Sequence, residues 1–322
     1  MTQDAHITAY QEGTPFTIIP EVQGNNVDKD KAAALIKEAV KSGSSEVDLV
    51  ASGCYVTVGV TAEDAALKDL CDTMNRCRDM VITYQFGEQT IKLEGETICT
   101  WILGSTQDGL VDVNYDKAAA FVKSMADQYD TAGKTRAFHT TTGKDLNLTG
   151  PYGWQIDQAG ETASLIAMIR TGQSQLREPL YSKKAQDRTT DWGKTYVEID
   201  LTNQHVYMYQ AGNLAWDAPC VTGNVSKNYT TPEGIYSLTY KQTDRVLRGE
   251  KKADGTYEYE SHVDYWMPFN GGIGLHDASW RSKFGGTIYQ YGGSHGCINL
   301  PSGKAKTLYD MVYTGIPVIC YN

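Results

Sequence analysis

Over the first 170 positions, apolar residues recur mostly with a helical period, broken by short alternating runs. Lys29–Lys41 carries Ala33, Leu35, Ile36 and Val40 at helical spacing behind Asp28, a residue type that caps helix starts. A second helix is predicted to run to about Arg78, with Thr61 as its cap and Asp64 in capping-box position. Two more follow, one after Val111–Asp116 to about Tyr129 and one from Gln158 to about Arg170. Strands are predicted at Phe16–Pro20, Glu46–Val50 (where alternation is strict), Met80–Phe86, Gln89–Leu93, Thr97–Leu103 and Thr135–Thr142. The segments opening at Val27-Asp28, Val113-Asn114 and Ile156-Asp157 share an Asx residue, an Ala-rich turn and an apolar stripe. They read either as loose internal repeats or as capped helices that any sheet-packing module would contain.

Beyond residue 193 the period shortens to two. Thr195–Leu201, His205–Gln210, Leu214–Thr222, Ile235–Tyr240, Val263–Phe269 and Ile316–Tyr321 read as strands, with a helix at about Gly303–Val312. Residues 172–193 hold Gly172, Pro179, a charged run and Gly193, which places a domain boundary near 190. The fold expected is an α+β domain over 1–190 followed by a mostly β, sandwich-like domain over 191–322 with one or two short helices. Arg245–Tyr257 contains Asp254-Gly255, a hairpin turn signal. It reads as a hairpin with a solvated charged tip or as a lid.

Composition removes several function classes. A net charge of −10 and a pI of about 5.1 exclude the basic face that nucleic acid requires, and no polybasic anchor for acidic lipids exists. No stretch is long and apolar enough to cross a membrane, and the first residues lack the pattern of a signal peptide. The chain is therefore either cytosolic or without a leader or anchor that the full protein carries. Seven cysteines leave at least one thiol unpaired within the chain. Cys71 and Cys77 share a predicted helix, and six residues of helix rise about 9 Å, beyond the roughly 4.4–6.8 Å of a disulfide. Both are expected in the core, while a Cys54–Cys99 bridge stays open.

The chemistry concentrates in Ser294-His295-Gly296-Cys297-Ile298-Asn299, with His276 upstream in Gly274-Leu275-His276-Asp277. A thiol beside imidazoles is a candidate nucleophile. His276 is the candidate base, and the backbone N–H groups of Gly296 and Cys297 are candidate oxyanion donors. Cys297 taken alone also reads as an ordinary buried cysteine, and His295 as a hydrogen-bonded structural histidine. A zinc site from His276, His295, Cys297 and His262 is the other sharp reading. It is weakened by the two-residue spacing of His295 and Cys297. No paired carboxylates suited to glycosidase work and no phosphate-binding glycine loop are present.

The pattern His276, a spacer, then Ser294-His295-Gly296-Cys297-Ile298-Asn299 resembles the signature of the L,D-transpeptidases of bacterial cell-wall synthesis. Thr231-Pro232-Glu233-Gly234, Gly274–Trp280 and Phe284-Gly285-Gly286 resemble further motifs of that catalytic domain, in the same order. Residues 1–190 resemble the peptidoglycan-binding α+β module, with room for two repeats, that precedes it in some Gram-positive members.

The resemblance implies attack by Cys297 on the carbonyl between the third stem residue, a diamino acid, and D-Ala. A thioester forms, and an amine of a second stem resolves it to a 3→3 cross-link. It implies His276 as proton acceptor, Ser294 and His295 as shapers of the site, and Trp280, Asp277, Asn299 and Arg281 as substrate contacts. Arg281 and Lys283 read equally as a solvated face. The resemblance further implies no cofactor or metal, stem peptides as partners, carbapenem-type β-lactams as covalent inhibitors, and a place outside the membrane reached through a signal or anchor that these residues lack. An L,D-carboxypeptidase using water, and a wall-binding protein whose thiol is idle, remain competing readings.

Overall fold

The computed structural model describes all residues, 1–322. Two compact units divide the chain. The first comprises Met1–Met125 and Gln158–Leu180, the second Ala126–Asp157 and Tyr181–Asn322.

In the first unit, helix Lys29–Ser42 begins at Asp28, whose carboxylate accepts the N–H groups of Asp30 and Lys31. It ends at Gly43 in the left-handed region. Helix Ala65–Asp79 is capped by Asp64, which accepts the Leu67 N–H at 2.9 Å, so the cap lies three residues after the expected Thr61. Cys71 and Cys77 are buried on this helix, and all seven cysteines are free thiols, Cys54 and Cys99 included.

Strands Val81–Phe86 and Gln89–Glu94 form a hairpin, and Gln175–Arg177 joins it in parallel. Ile82, Tyr84 and Phe86 alternate into the core. The buried Glu161 carboxylate is held by the Tyr84 hydroxyl (2.7 Å), the Arg177 guanidinium (2.9 Å) and the Leu180 N–H (2.7 Å), which offsets the cost of burying its charge.

Two expected strands fail here. Glu46–Asp48 is irregular and a turn begins at Leu49, because the Asp48 carboxylate accepts the N–H groups of Val50 and Ala51 and folds the backbone on itself. Across Thr97–Leu103, the short helix Gly95–Cys99 takes the first three residues and the strand Ile102–Ser105 begins only at Ile102.

The second unit is mostly β. One five-stranded sheet runs, in spatial order, Asn213–Pro219, His205–Gln210, Tyr196–Asp200, Pro317–Tyr321, Gly234–Ser237. Its first and last segments in sequence pair in parallel at the centre, Val197 opposite Val318. A four-stranded sheet runs Gln242–Arg248, Glu260–Asn270, Ile273–Asp277, Ile298–Leu300. Both contribute to one apolar core, Val197, Ile199, Val206 and Met208 from the first sheet and Met267, Leu275, Ile298 and Leu300 from the second. Helix Ser302–Met311 adds Ala305 and Leu308.

The expected linear break near 190 differs from the observed division, because 126–157 clusters with 181–322. Strands Arg136–His139 and Asp145–Leu148 form a hairpin. The Thr141 N–H and hydroxyl both reach the Glu198 carboxylate at 2.8 Å, and Arg136 pairs with the buried Asp191 at 2.6 Å. Phe138 packs on Trp192, Tyr196 and Tyr321.

Candidate active site

His276 lies on strand Ile273–Asp277 and Cys297 immediately precedes strand Ile298–Leu300. These strands pair in parallel, Leu275 opposite Ile298 and His276 opposite Asn299. Continuing the register back by one residue sets Gly274 beside Cys297, and the Gly274 N–H does bear on the sulfur. The thiol lies 3.5 Å from the Gly272 carbonyl. Only glycine fits at 274. A Cβ there would stand 2.7 Å from the Met267 carbonyl oxygen and the Pro268 Cα.

His276 is buried between Trp266 and Trp280, each with its ring centre 5.9 Å away. Its Nδ1 is 2.8 Å from the Asp277 carbonyl oxygen, an acceptor, so Nδ1 carries the proton and Nε2 the lone pair. Burial holds its pKa below the ordinary histidine value and the ring neutral, against a smaller raising effect of Asp277. Burial also pushes the Cys297 thiol up to about 11, although part of the residue's surface remains open. Both shifts favour the uncharged thiol and the uncharged imidazole.

The turn holding Cys297 is clasped by two side chains. Ser294 Oγ accepts the Gly296 N–H at 3.0 Å and donates to the Cys297 carbonyl at 2.6 Å. Thr231 Oγ1 donates to the Gly296 carbonyl at 2.7 Å and accepts the Gly223 N–H at 3.1 Å. Gly296 sits at φ +116°, a value that favours glycine. The Gly296 N–H, expected as an oxyanion donor, is therefore engaged by Ser294, and the Cys297 N–H is the candidate that remains.

A cavity of about 210 Å³ opens on the thiol. Cys297, His276, Ser294, His295, Asn299, Trp280 and Arg281 line it, together with Leu247, Tyr259 and Ser261 of the long hairpin. A second hollow, lined by Tyr229, Arg248, Glu250 and Glu258, shares Tyr259 and His295 with the first. The His295 ring has Tyr229 (4.3 Å) and Tyr259 (4.5 Å) as tilted ring neighbours, with Nε2 3.4 Å from Glu258 Oε1.

Residues 194–320 match the family model described as "L,D-transpeptidase catalytic domain", and 69–177 match one described as "Putative peptidoglycan binding domain". The Ldtfm–avibactam carbamoyl enzyme is 32% identical over 80% of this chain and 99% of its own, with a TM-score of 0.64. The chain belongs to the L,D-transpeptidase family. A mutant of the Enterococcus faecium L,D-transpeptidase is 31% identical over 79% of this chain and all of its own, with a TM-score of 0.63. The E. faecium catalytic domain acylated by ertapenem is 41% identical over 40% of this chain and 98% of its own, with a TM-score of 0.36. No curated protein sequence gave a match.

Two residues of this L,D-transpeptidase sit differently from expectation. Asp277 does not line the cavity. It is buried, its carbonyl fixes His276 and its carboxylate accepts the Tyr265 N–H at 2.8 Å. His262, considered as a zinc ligand, is exposed and paired with Asp244 at 2.6 Å, away from the cavity lining. The sequence drew attention to Thr231 only as part of a turn. Its hold on Gly296 spans 65 residues, which no local pattern reports. Leu247 was hidden in the charged insertion and Tyr259 just beyond it, where alternation on a hairpin would have singled them out. The insertion is a hairpin whose base walls the cavity and whose tip, around Asp254-Gly255, is exposed. No helix of this L,D-transpeptidase is long and apolar enough to cross a membrane.

Proposed function

We propose that this L,D-transpeptidase joins peptidoglycan stem peptides through a Cys297 thioester, giving 3→3 cross-links outside the membrane. The observation carrying this reading is the placement of Cys297 and His276 on adjacent parallel strands, both lining one walled cavity. Cys297 Sγ attacks the carbonyl between the third residue and D-Ala as its proton passes to His276 Nε2. The Cys297 N–H stabilises the oxyanion. The tetrahedral adduct collapses, His276 returns the proton to the departing D-Ala amine, and the thioester remains. The side-chain amine of a second stem then attacks, His276 takes its proton, and Cys297 leaves as the thiol.

The second hollow beyond His295, with Glu258 and Glu250 on its wall, favours an ammonium-bearing acceptor over water and so transpeptidation over carboxypeptidation. In this reading Ser294 and Thr231 position the nucleophile turn. Trp280, Asn299 and Arg281 contact the donor, His295 and its tyrosines separate donor from acceptor, and the 69–177 module binds the wall. Carbapenem-type β-lactams acylate Cys297, as ertapenem does the E. faecium domain.

The test is incubation with a disaccharide-tetrapeptide, followed by mass spectrometry. A cross-linked dimer with loss of one D-Ala is expected. Tripeptide plus D-Ala without dimer would make the enzyme a carboxypeptidase. No reaction, with no carbapenem adduct on Cys297, would leave a wall-binding protein.

A further inference from the structure

Four buried side-chain polar atoms have no hydrogen-bond partner: Arg136 Nε, Trp216 Nε1, Arg281 Nε and Asn299 Oδ1. Two of the four belong to residues lining the Cys297 cavity. Arg281 is half-buried. One of its terminal nitrogens donates to the Gly292 carbonyl at 2.8 Å, and it forms no ion pair. Its pKa is lowered by burial, with no neighbouring acid acting against that shift, and its charge is close enough to oppose protonation of His276. A guanidinium withdrawn from water beside a cavity, with a free donor and no counter-ion, is a costly arrangement unless an anion arrives to complete it.

The chemistry of the proposed reaction names that anion. The leaving residue of a tetrapeptide donor ends in a carboxylate one residue past the attacked carbonyl, a separation of about 3.5 Å along an extended chain. A guanidinium fork matches a carboxylate with paired, charge-assisted hydrogen bonds, and Asn299 Oδ1 offers an acceptor to a donor N–H in the same space.

We propose that Arg281 binds the terminal carboxylate of the leaving D-residue and thereby restricts the donor to stems that end one residue after the attacked carbonyl. The inference rests on the transpeptidase reading above and adds its selectivity. A pentapeptide carries its carboxylate one residue too far out, and a terminal carboxamide presents no charge.

The test compares kcat/KM for three donors: tetrapeptide, tetrapeptide with the terminal D-Ala carboxyl as the amide, and pentapeptide. The enzymes are wild type, Arg281→Gln and Arg281→Lys, with near-UV circular dichroism to verify folding. Loss of charge-assisted hydrogen bonds predicts that wild type prefers acid over amide on the order of 10- to 100-fold. That ratio is expected to fall to about one in Arg281→Gln, through a rise in KM for the acid, and to be partly retained in Arg281→Lys. Equal turnover of acid and amide by active wild type would overturn the inference alone, as would an undiminished preference in folded Arg281→Gln. No turnover of any donor would instead overturn the transpeptidase reading, and this inference with it.

Discussion

At the scale of single residues, the site is set by burial more than by charge pairing. His276 has its proton placed on Nδ1 by a backbone carbonyl, and its basicity is lowered because its charged form is poorly solvated. Cys297→Ala is expected to abolish turnover. His276→Ala should cost about 10²-fold or more, the usual reach of a positioned base, read as kcat with a tetrapeptide donor. The pH dependence follows from the two shifts. The imidazole pKa is lowered, so the base form is already present at neutral pH and is lost only as pH falls through a value under the ordinary histidine range. The thiol pKa is raised to about 11, so thiolate accumulates only at alkaline pH. Alkylation of Cys297 by iodoacetamide should therefore climb about tenfold per pH unit from pH 7 to 10. A rate already level at pH 7 would mean a preformed thiolate–imidazolium pair.

At the scale of elements, the nucleophile turn is held by its backbone. Thr231 ties the Gly296 carbonyl to the Gly223 N–H across two segments far apart in sequence. Thr231→Val keeps the shape but leaves both groups unsatisfied in a buried place. It should destabilise the protein by about 1–3 kcal/mol, measured as a lowered urea midpoint, and slow acylation more than it changes KM. What was legible in the sequence at this scale divides by cause. Helices with an Asx cap and a regular stripe, Lys29–Ser42 and Ala65–Asp79, were visible, and the second was off only in which residue caps it. Glu46–Val50 failed because Asp48 offered its own backbone a turn that alternation does not encode. His276 and Cys297 stood out through residue type and motif. Tyr259, Leu247 and the second role of Thr231 did not, because they reach the site through pairing across a hairpin and between distant loops.

At the scale of the whole molecule, the residues that support catalysis are not confined to the stretch that carries the signature. Phe138 and Arg136 precede it by more than a hundred residues yet close the apolar layer around Trp192, Tyr196, Ile235 and Tyr321. Phe138→Ala should cost about 3–5 kcal/mol in the second unit, seen as a lower urea concentration for loss of turnover. A variant as resistant to urea as wild type would show that this layer contributes little. A fragment starting at residue 191 would lack both strands of the Arg136–Leu148 hairpin and the partner of Asp191.

The protonated thiol has a consequence for durability. Peroxide oxidises thiolates, and an accessible cysteine with a low pKa is driven toward sulfenic and sulfinic acid. Burial keeps Cys297 mostly in its thiol form at neutral pH, and in the proposed reaction its proton passes to His276 as the sulfur attacks the bound donor. Its reactivity is thus tied to occupancy of the cavity, so the resting enzyme should outlast oxidants that inactivate enzymes with a standing thiolate.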